Sequence, residues 1–282
     1  MNFLDRDIAP KNAFEAPRAE PFLKWAGGKR WLFKRHRHLF PQKINRLVDP
    51  FLGGGSSFFY LQPNSAILSD LNDDLIDLYM AVRENPRKIT RALVRYHREH
   101  SQSFFYEVRA LKPKDPIKKA AWLLYLNRTC WNGLFRVNLR GEFNVPIGTK
   151  TKVFVSAREL DPAASMLRNA ALLSSDFENT VDRAKRGDVI FADPPYFENT
   201  TSVRFLKYNS NVFSWLDQLR LRDALLRAKS RGAICFLTNA NHKSLLDLYR
   251  DCGTIYELTR HSVVSGSNHG RGKDREILVE MK

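Results

Sequence analysis

Within four residues, Asp193-Pro194-Pro195-Tyr196 combines a carboxylate, two fixed backbone φ angles and an aromatic face. The apolar run Asp188–Ala192, opened by Gly187, predicts a strand buried on both faces in a parallel sheet. The prolines end that strand and cannot donate to a continuing ladder. Asp193 and the Pro194 carbonyl are therefore left as acceptors at a strand's carboxyl end, where open α/β sheets bind ligands. The chemistry that needs such a pair is alkylation of a planar amine such as adenine N6, whose lone pair is delocalised into its ring. Accepting both amine hydrogens turns the lone pair towards an electrophile, and Tyr196 stacks on the ring. Taken alone, Asp-Pro-Pro is more often a strand end with a solvated aspartate, so the rest of the chain decides.

Two glycine loops supply the second half of a site. In Lys24-Trp25-Ala26-Gly27-Gly28-Lys29 a Gly-Gly turn brings backbone N–H groups and two lysines towards a ligand carboxylate; a helix-initiating turn fits equally well. It is not a phosphate loop, which needs Gly at 23 and Ser or Thr at 30. Asp49-Pro50-Phe51-Leu52-Gly53-Gly54-Gly55-Ser56 reads as a strand running through a glycine loop into a helix, and Phe58 excludes the dinucleotide fingerprint. The next strand, Ala66–Ser69, ends in Asp70, where nucleoside-binding α/β folds grip a ribose diol; Asp70 is alternatively the cap of a helix starting near Asn72. A further strand, Ala170–Leu173, leads to Asp176 and Phe177, a pair able to hydrogen-bond and pack on an adenine ring, or to cap a helix and fill a core.

The elements that position these groups alternate strand and helix, except from Asp73 to about Val155. There Ile117, Ala120, Ala121 and Leu124 mark an apolar helical stripe, and Phe135–Leu139, Arg140-Gly141 and Glu142–Val145 mark a β-hairpin ending at Pro146. The chain of 282 residues carries a net charge of +16 and a pI near 9.9, and residues 81–155 hold 16 Lys/Arg against 5 Asp/Glu. A field of that sign favours a polyanion. Arg128, Arg136, Asn138, Arg140 and Lys150 are the residues placed to meet it. Trp131 beside Asn132 is either a wedge against a base step or a core tryptophan.

Later strands are expected at Ala233–Leu237 and Ile277–Val279, with a helix opened by a Ser214/Asp217 capping box. Between those strands, a loop from Arg260 to Arg275, including Arg271, suits phosphate contacts. Three cysteines without CxxC spacing support neither a disulfide framework nor a zinc ribbon. His97-Arg98-Glu99-His100 lacks the HExxH order, and no metal site is expected. Without a leader-like apolar region or a long apolar segment, the expected setting is the cytoplasm.

Together, residues 21–29, Asp49–Ser56, Leu126-Asn127-Arg128, Asn132-Gly133-Leu134, Asn138–Pro146 and Asp193–Tyr196 resemble, in order, the Dam-type DNA adenine-N6 methyltransferases. The resemblance implies a seven-stranded Rossmann-like sheet for an S-adenosylmethionine-dependent methyltransferase, formed by residues 1–72 and 156–282. Residues 73–155 would be an inserted helical target-recognition domain ending in the hairpin. It further implies that Lys24, Trp25, Ala26, Gly27 and Lys29 line the methionine side of the cofactor, with Phe51 and the Gly53, Gly55, Ser56 loop at its centre. Asp70 would hold its ribose, and Asp176 with Phe177 its adenine. Asp193, Pro194 and Tyr196 would hold the target base, flipped from double-stranded DNA; the protein is expected to be a monomer in solution, with an oligomer on DNA as the alternative. Lys24 and Arg136 would help read guanines of a GATC-like site, and Trp131 would enter the stack. Amino methylation of RNA or of a protein glutamine, and a non-catalytic DNA-binding regulator, are the competing readings.

Overall fold

The computed structural model describes residues 18–151, 153–196, 213–261 and 273–282. Short apolar runs that bury alternate faces make the sheet. Strands β1 (Arg46–Asp49), β2 (Ser65–Asp70), β3 (Ala170–Ser174), β4 (Val189–Ala192) and β5 (Ile234–Ala240) pair in parallel. Strands β6 (Thr254–His261) and β7 (Lys273–Met281) pair antiparallel, and β7 closes on β5. The order is β3-β2-β1-β4-β5-β7-β6, the expected seven-stranded α/β sheet.

All four residues of β4 are buried, and Ile190 lies between Val48 and Cys235 on the neighbouring strands. Alternation sorts the core: Leu47, Val189, Phe191 and Phe236 bury on one face of the sheet, and Val48, Ile190, Cys235 and Leu237 on the other. Because β2, β1 and β4 are parallel neighbours, Asp70, Asp49 and Asp193 all stand at the same carboxyl edge.

On the first face lie α1 (Arg30–Arg35), α2 (Ser56–Leu61), α3 (Asp73–Glu84), α4 (Pro86–Glu99), α5 (Gln102–Ala110), α6 (Pro116–Thr129) and α7 (Ala157–Leu167). The second carries α8 (Phe177–Val181), α9 (Trp215–Ser230) and α10 (Lys243–Tyr249). Helix α3 packs on β2 and β3 as well as on α4 and α6, so the helices of residues 73–129 share one core with the sheet. Among the described residues no helix is long and apolar enough to cross a membrane.

Four local expectations change. Helix α6 is buried at every position from Ala120 to Asn127, so its apolar surface is an enclosing sleeve and not a stripe. The hairpin keeps a single ladder bridge, Val137 with Phe143, and turns at Gly141 (φ +74°). Its turn is held by Asn138, whose side chain accepts from the N–H groups of Arg140 (2.9 Å) and Glu142 (3.0 Å). Strand β6 was not anticipated: it is an edge strand with Thr254, Glu257 and Thr259 exposed, so its hydrophobic signal is weak. The loop expected over Arg260–Arg275 therefore gives up both ends to strands, and Arg271 lies outside the described residues.

Candidate active site

Above the carboxyl edge of β2, β1 and β4 opens a cavity of about 1110 Å³. Of the residues singled out in the sequence, Trp25, Ala26, Gly27, Lys29, Phe51, Gly53, Ser56, Asp70, Asp176, Phe177, Asp193, Pro194 and Tyr196 line it. Gly55 lies below the lining, as the left-handed N-cap of α2 (φ +69°). Lys24 faces elsewhere.

The floor is built by close approach. A Cβ on Gly53, itself at φ +47°, would stand 2.8 Å from the Trp25 indole, and one on Gly54 would stand 2.9 Å from Trp25 Cβ. Only a glycine loop lets the Lys24–Lys29 segment lie across β1's exit. The Trp25 ring then stacks on Phe135 of the hairpin, centroids 5.7 Å apart. Through Phe135, Val137 and Gly141 the hairpin forms part of the cavity wall.

Asp70 accepts N–H groups from Gly53 (3.0 Å) and Asn72 (3.0 Å). It does not cap α3; Asn72 does, accepting from Leu75 N–H at 3.2 Å. Burial raises the Asp70 carboxyl above its ordinary range, opposed by those backbone donors. Asp49 is deeper, 2% exposed, and accepts from Phe51 N–H at 3.0 Å and from the Ser57 hydroxyl. Burial pushes it up to about 7; those two donors oppose the rise, while the neighbouring charges of Asp193 and Asp70 add to it.

At the far end, Asp176 caps α8 through Glu178 N–H (3.0 Å) and pairs with Arg220 (2.9 Å), whose guanidinium sits 4.8 Å above the Phe177 ring. Phe177 stacks on Phe51, centroids 5.5 Å apart, and is only 3% exposed, so Phe51 offers the more open ring. Beside β4, Asp193 Oδ1 meets Lys29 Nζ at 2.8 Å and the Thr238 hydroxyl at 2.7 Å. Lys29 is 2% exposed, donates to Gly27 O at 2.8 Å and lies 4.6 Å over the Tyr196 ring. The Tyr196 hydroxyl donates to Glu276 at 2.6 Å.

The basic candidates assemble around one bend. Asn127, buried in α6, accepts from Lys24 N–H (3.0 Å) and donates to Lys24 O (2.7 Å) and Gly133 O (3.0 Å). Gly133 (φ +67°) is so close that a Cβ there would stand 2.7 Å from Lys24 Cβ. Lys24, Arg128 and Lys150 consequently share one neighbourhood, and burial, then Lys150 and Arg128, brings the Lys24 amine down to about 8. Arg128 also carries structure, donating to Phe22 O (3.1 Å) and pairing with Glu159 (3.2 Å). Trp131 is 50% exposed and so is not a core tryptophan; its backbone N–H donates to Pro146 O at 2.9 Å, and Asn132 beside it is exposed. Arg136 donates through Nε to Asn144 Oδ1 (2.7 Å), leaving other guanidinium N–H groups for a ligand. Arg140 and Lys150 are exposed. This surface borders the cavity through the hairpin without lining it.

Sequence reading passed over Asp49, Arg220, Thr238 and Glu276. Asp49 stood in the glycine-loop block but was read only as a strand end; the other three reach the site from neighbouring elements and carry no local signal.

The family model for D12 class N6 adenine-specific DNA methyltransferases matches residues 25–263. The chain belongs to this family. A DNA adenine methylase of Escherichia coli (strain K12) is 36% identical over 264 residues, covering 92% of this chain and 94% of that one. The Type II methyltransferase M1.LlaDCHI of Lactococcus lactis subsp. cremoris is 34% identical, again covering 92% and 94%. A DNA N-6-adenine-methyltransferase of Escherichia phage P1 is 31% identical across 97% of this chain, which spans 36% of that longer protein. For a D12 class methyltransferase, the matched span takes in the cavity, the hairpin and the Asp193–Tyr196 strand end.

Proposed function

We propose that this D12 class enzyme binds S-adenosylmethionine in the cavity and methylates N6 of an adenine flipped out of duplex DNA, at a GATC-like site. The observation that carries the reading is that one cavity holds Asp70 and the Trp25–Lys29 turn together with the Asp193–Tyr196 strand end. The pocket fits such a cofactor: Asp70 keeps lone pairs beyond its two backbone donors for a diol, Phe51 offers a ring, and the glycine floor leaves room along β1. When bound, S-adenosylmethionine supplies an electrophilic methyl group.

The chain's own residues then act on the target amine. Asp193 Oδ2, which no described residue engages, and the Pro194 carbonyl each accept one N6 hydrogen. That double acceptance turns the nitrogen lone pair out of the ring plane; as an N–C bond formed at the expense of the cofactor's C–S bond, which would leave the neutral thioether, the surplus N6 proton would pass along the Asp193 hydrogen bond to solvent. Tyr196 stacks on the base. Flipping a base costs a few kcal/mol, offset in this reading by the half-exposed Trp131 and the basic bend around Lys24, Arg136 and Lys150. We assign recognition to residues 73–155 and the chemistry to residues 1–72 and 156–282, in an enzyme that is a monomer in solution and works in a reducing cytoplasm.

Labelled-methyl transfer to duplex DNA tests this. Asp193→Ala is expected to lower kcat by roughly 10²–10³, as for loss of a preorganised polar group; a wild-type rate ends the proposal. RNA and protein acceptors run as competitors separate the alternative substrates. Modified-base sequencing of DNA from an expressing host reads out the recognition site.

A further inference from the structure

Among the described residues, the side chains that hold Asp193 and Tyr196 come from other elements of the fold. Both Asp193 donors bond the same oxygen: Lys29 Nζ at 2.8 Å and the Thr238 hydroxyl at 2.7 Å both meet Oδ1. Thr238, 1% exposed, comes from β5, the strand beside β4. The Tyr196 hydroxyl is held at 2.6 Å by Glu276, 4% exposed, on β7. Thr238 and Glu276 sit on adjacent paired strands, with Leu278 opposite Thr238 and Ala240 opposite Glu276. Lys29 joins the halves, 3.9 Å from Glu276 and 4.6 Å over the Tyr196 ring.

Buried hydroxyls and carboxylates in a sheet need partners, and these two reach Asp193 and Tyr196 in the site. A carboxylate whose Oδ1 is filled twice cannot rotate without losing both bonds. Its orientation, and the tilt of the ring beside it, are therefore fixed before substrate arrives.

We propose that Thr238 and Glu276 are positioning residues for the target base: Thr238 fixes the Asp193 carboxylate so that Oδ2 meets the amine, and Glu276 fixes the Tyr196 ring. This rests on the reading of Asp193–Tyr196 as the target-amine site. Neither residue touches the base. Their loss acts on the turnover step and not on assembly with DNA, because the recognition surface lies on the hairpin and the bend.

The experiment compares Thr238→Val, Thr238→Ser, Glu276→Gln, Tyr196→Phe and the double variant Glu276→Gln/Tyr196→Phe. Steady-state methyl transfer is read beside fluorescence of a duplex carrying 2-aminopurine at the adenine the wild-type enzyme methylates. T238V is expected to lower kcat by roughly tenfold to a hundredfold, the cost of a misplaced group, with KM for DNA within about twofold of wild type and normal melting. T238S, which keeps the hydroxyl, is expected to restore most of kcat. E276Q and Y196F are expected to alter the 2-aminopurine signal in the same direction and to be non-additive when combined, since the first weakens and the second removes the same charge-assisted bond. If T238V does not fold, T238C takes its place. Wild-type kcat in T238V, or an equal deficit in T238S, overturns the Thr238 half; additive losses in E276Q and Y196F overturn the Glu276 half. Asp193→Ala is run alongside. If it turns over normally, the site reading itself fails, whereas an inactive D193A beside wild-type T238V and E276Q sinks the positioning proposal alone.

Discussion

Asp49 shows how one buried carboxylate couples the site to pH. In the unfolded chain it titrates near 4, and in the fold burial moves it to about 7. Between those values the folded state holds a proton that the unfolded state has released, so this group's contribution falls as pH rises from about 4 to 7 and is flat above. Asp49→Asn keeps an acceptor for the Phe51 N–H and removes the titration. Urea unfolding is expected to show wild type losing roughly 2–3 kcal/mol relative to D49N between pH 5 and 8. Parallel curves for the two proteins across that range would dismiss the shift. The same residue marks what the sequence hides. Asp70 and Asp193 were legible because each ends an apolar run, and a carboxylate there has an obvious audience. Asp49 also ends a run, but its raised carboxyl depends on its burial under the folded chain and on two other carboxylates from separate strands, which no window of sequence displays.

Among the elements, the strands of the parallel sheet were readable because they are short, apolar and bounded by glycine or proline, and the α9 start was readable from its Ser214/Asp217 box. Elements that depend on lateral pairing were not. Edge strand β6 exposes its polar side, and the reach of Thr238 and Glu276 follows from which strands lie side by side. Helix α6 was legible as a helix but not as an enclosed one, since three neighbouring helices cover it. Its buried Asn127 answers three backbone groups at once, a role that the motif Leu126-Asn127-Arg128 did not display, since it entered only as one block of a resemblance. Removing it by Asn127→Ala leaves those groups without their partner. The expected cost is on the order of 3 kcal/mol, read as a lower melting temperature; a melting temperature equal to wild type would show that water replaces the amide.

For the whole molecule, charge is the controlling quantity. A net +16, concentrated in residues 81–155, predicts DNA binding whose log K falls with log salt at a slope of roughly −0.9 per neutralised phosphate. Titrating duplex DNA between 50 and 200 mM salt gives that slope, and a flat line would remove electrostatics from the binding account. Lys150→Gln is expected to make it shallower by about one unit if Lys150 meets a phosphate.

The Asn127 clamp has a thermodynamic consequence. It fastens the Lys24 backbone, which runs straight into the Trp25–Lys29 turn at the cavity proposed for the cofactor, to Gly133, which belongs to the bend proposed to face DNA. A movement of either segment is felt by the other through one amide. In the proposed reading cofactor and DNA are tied to a common conformational equilibrium, and linkage makes the tie reciprocal: whatever factor one ligand lends to the affinity of the other, it receives back.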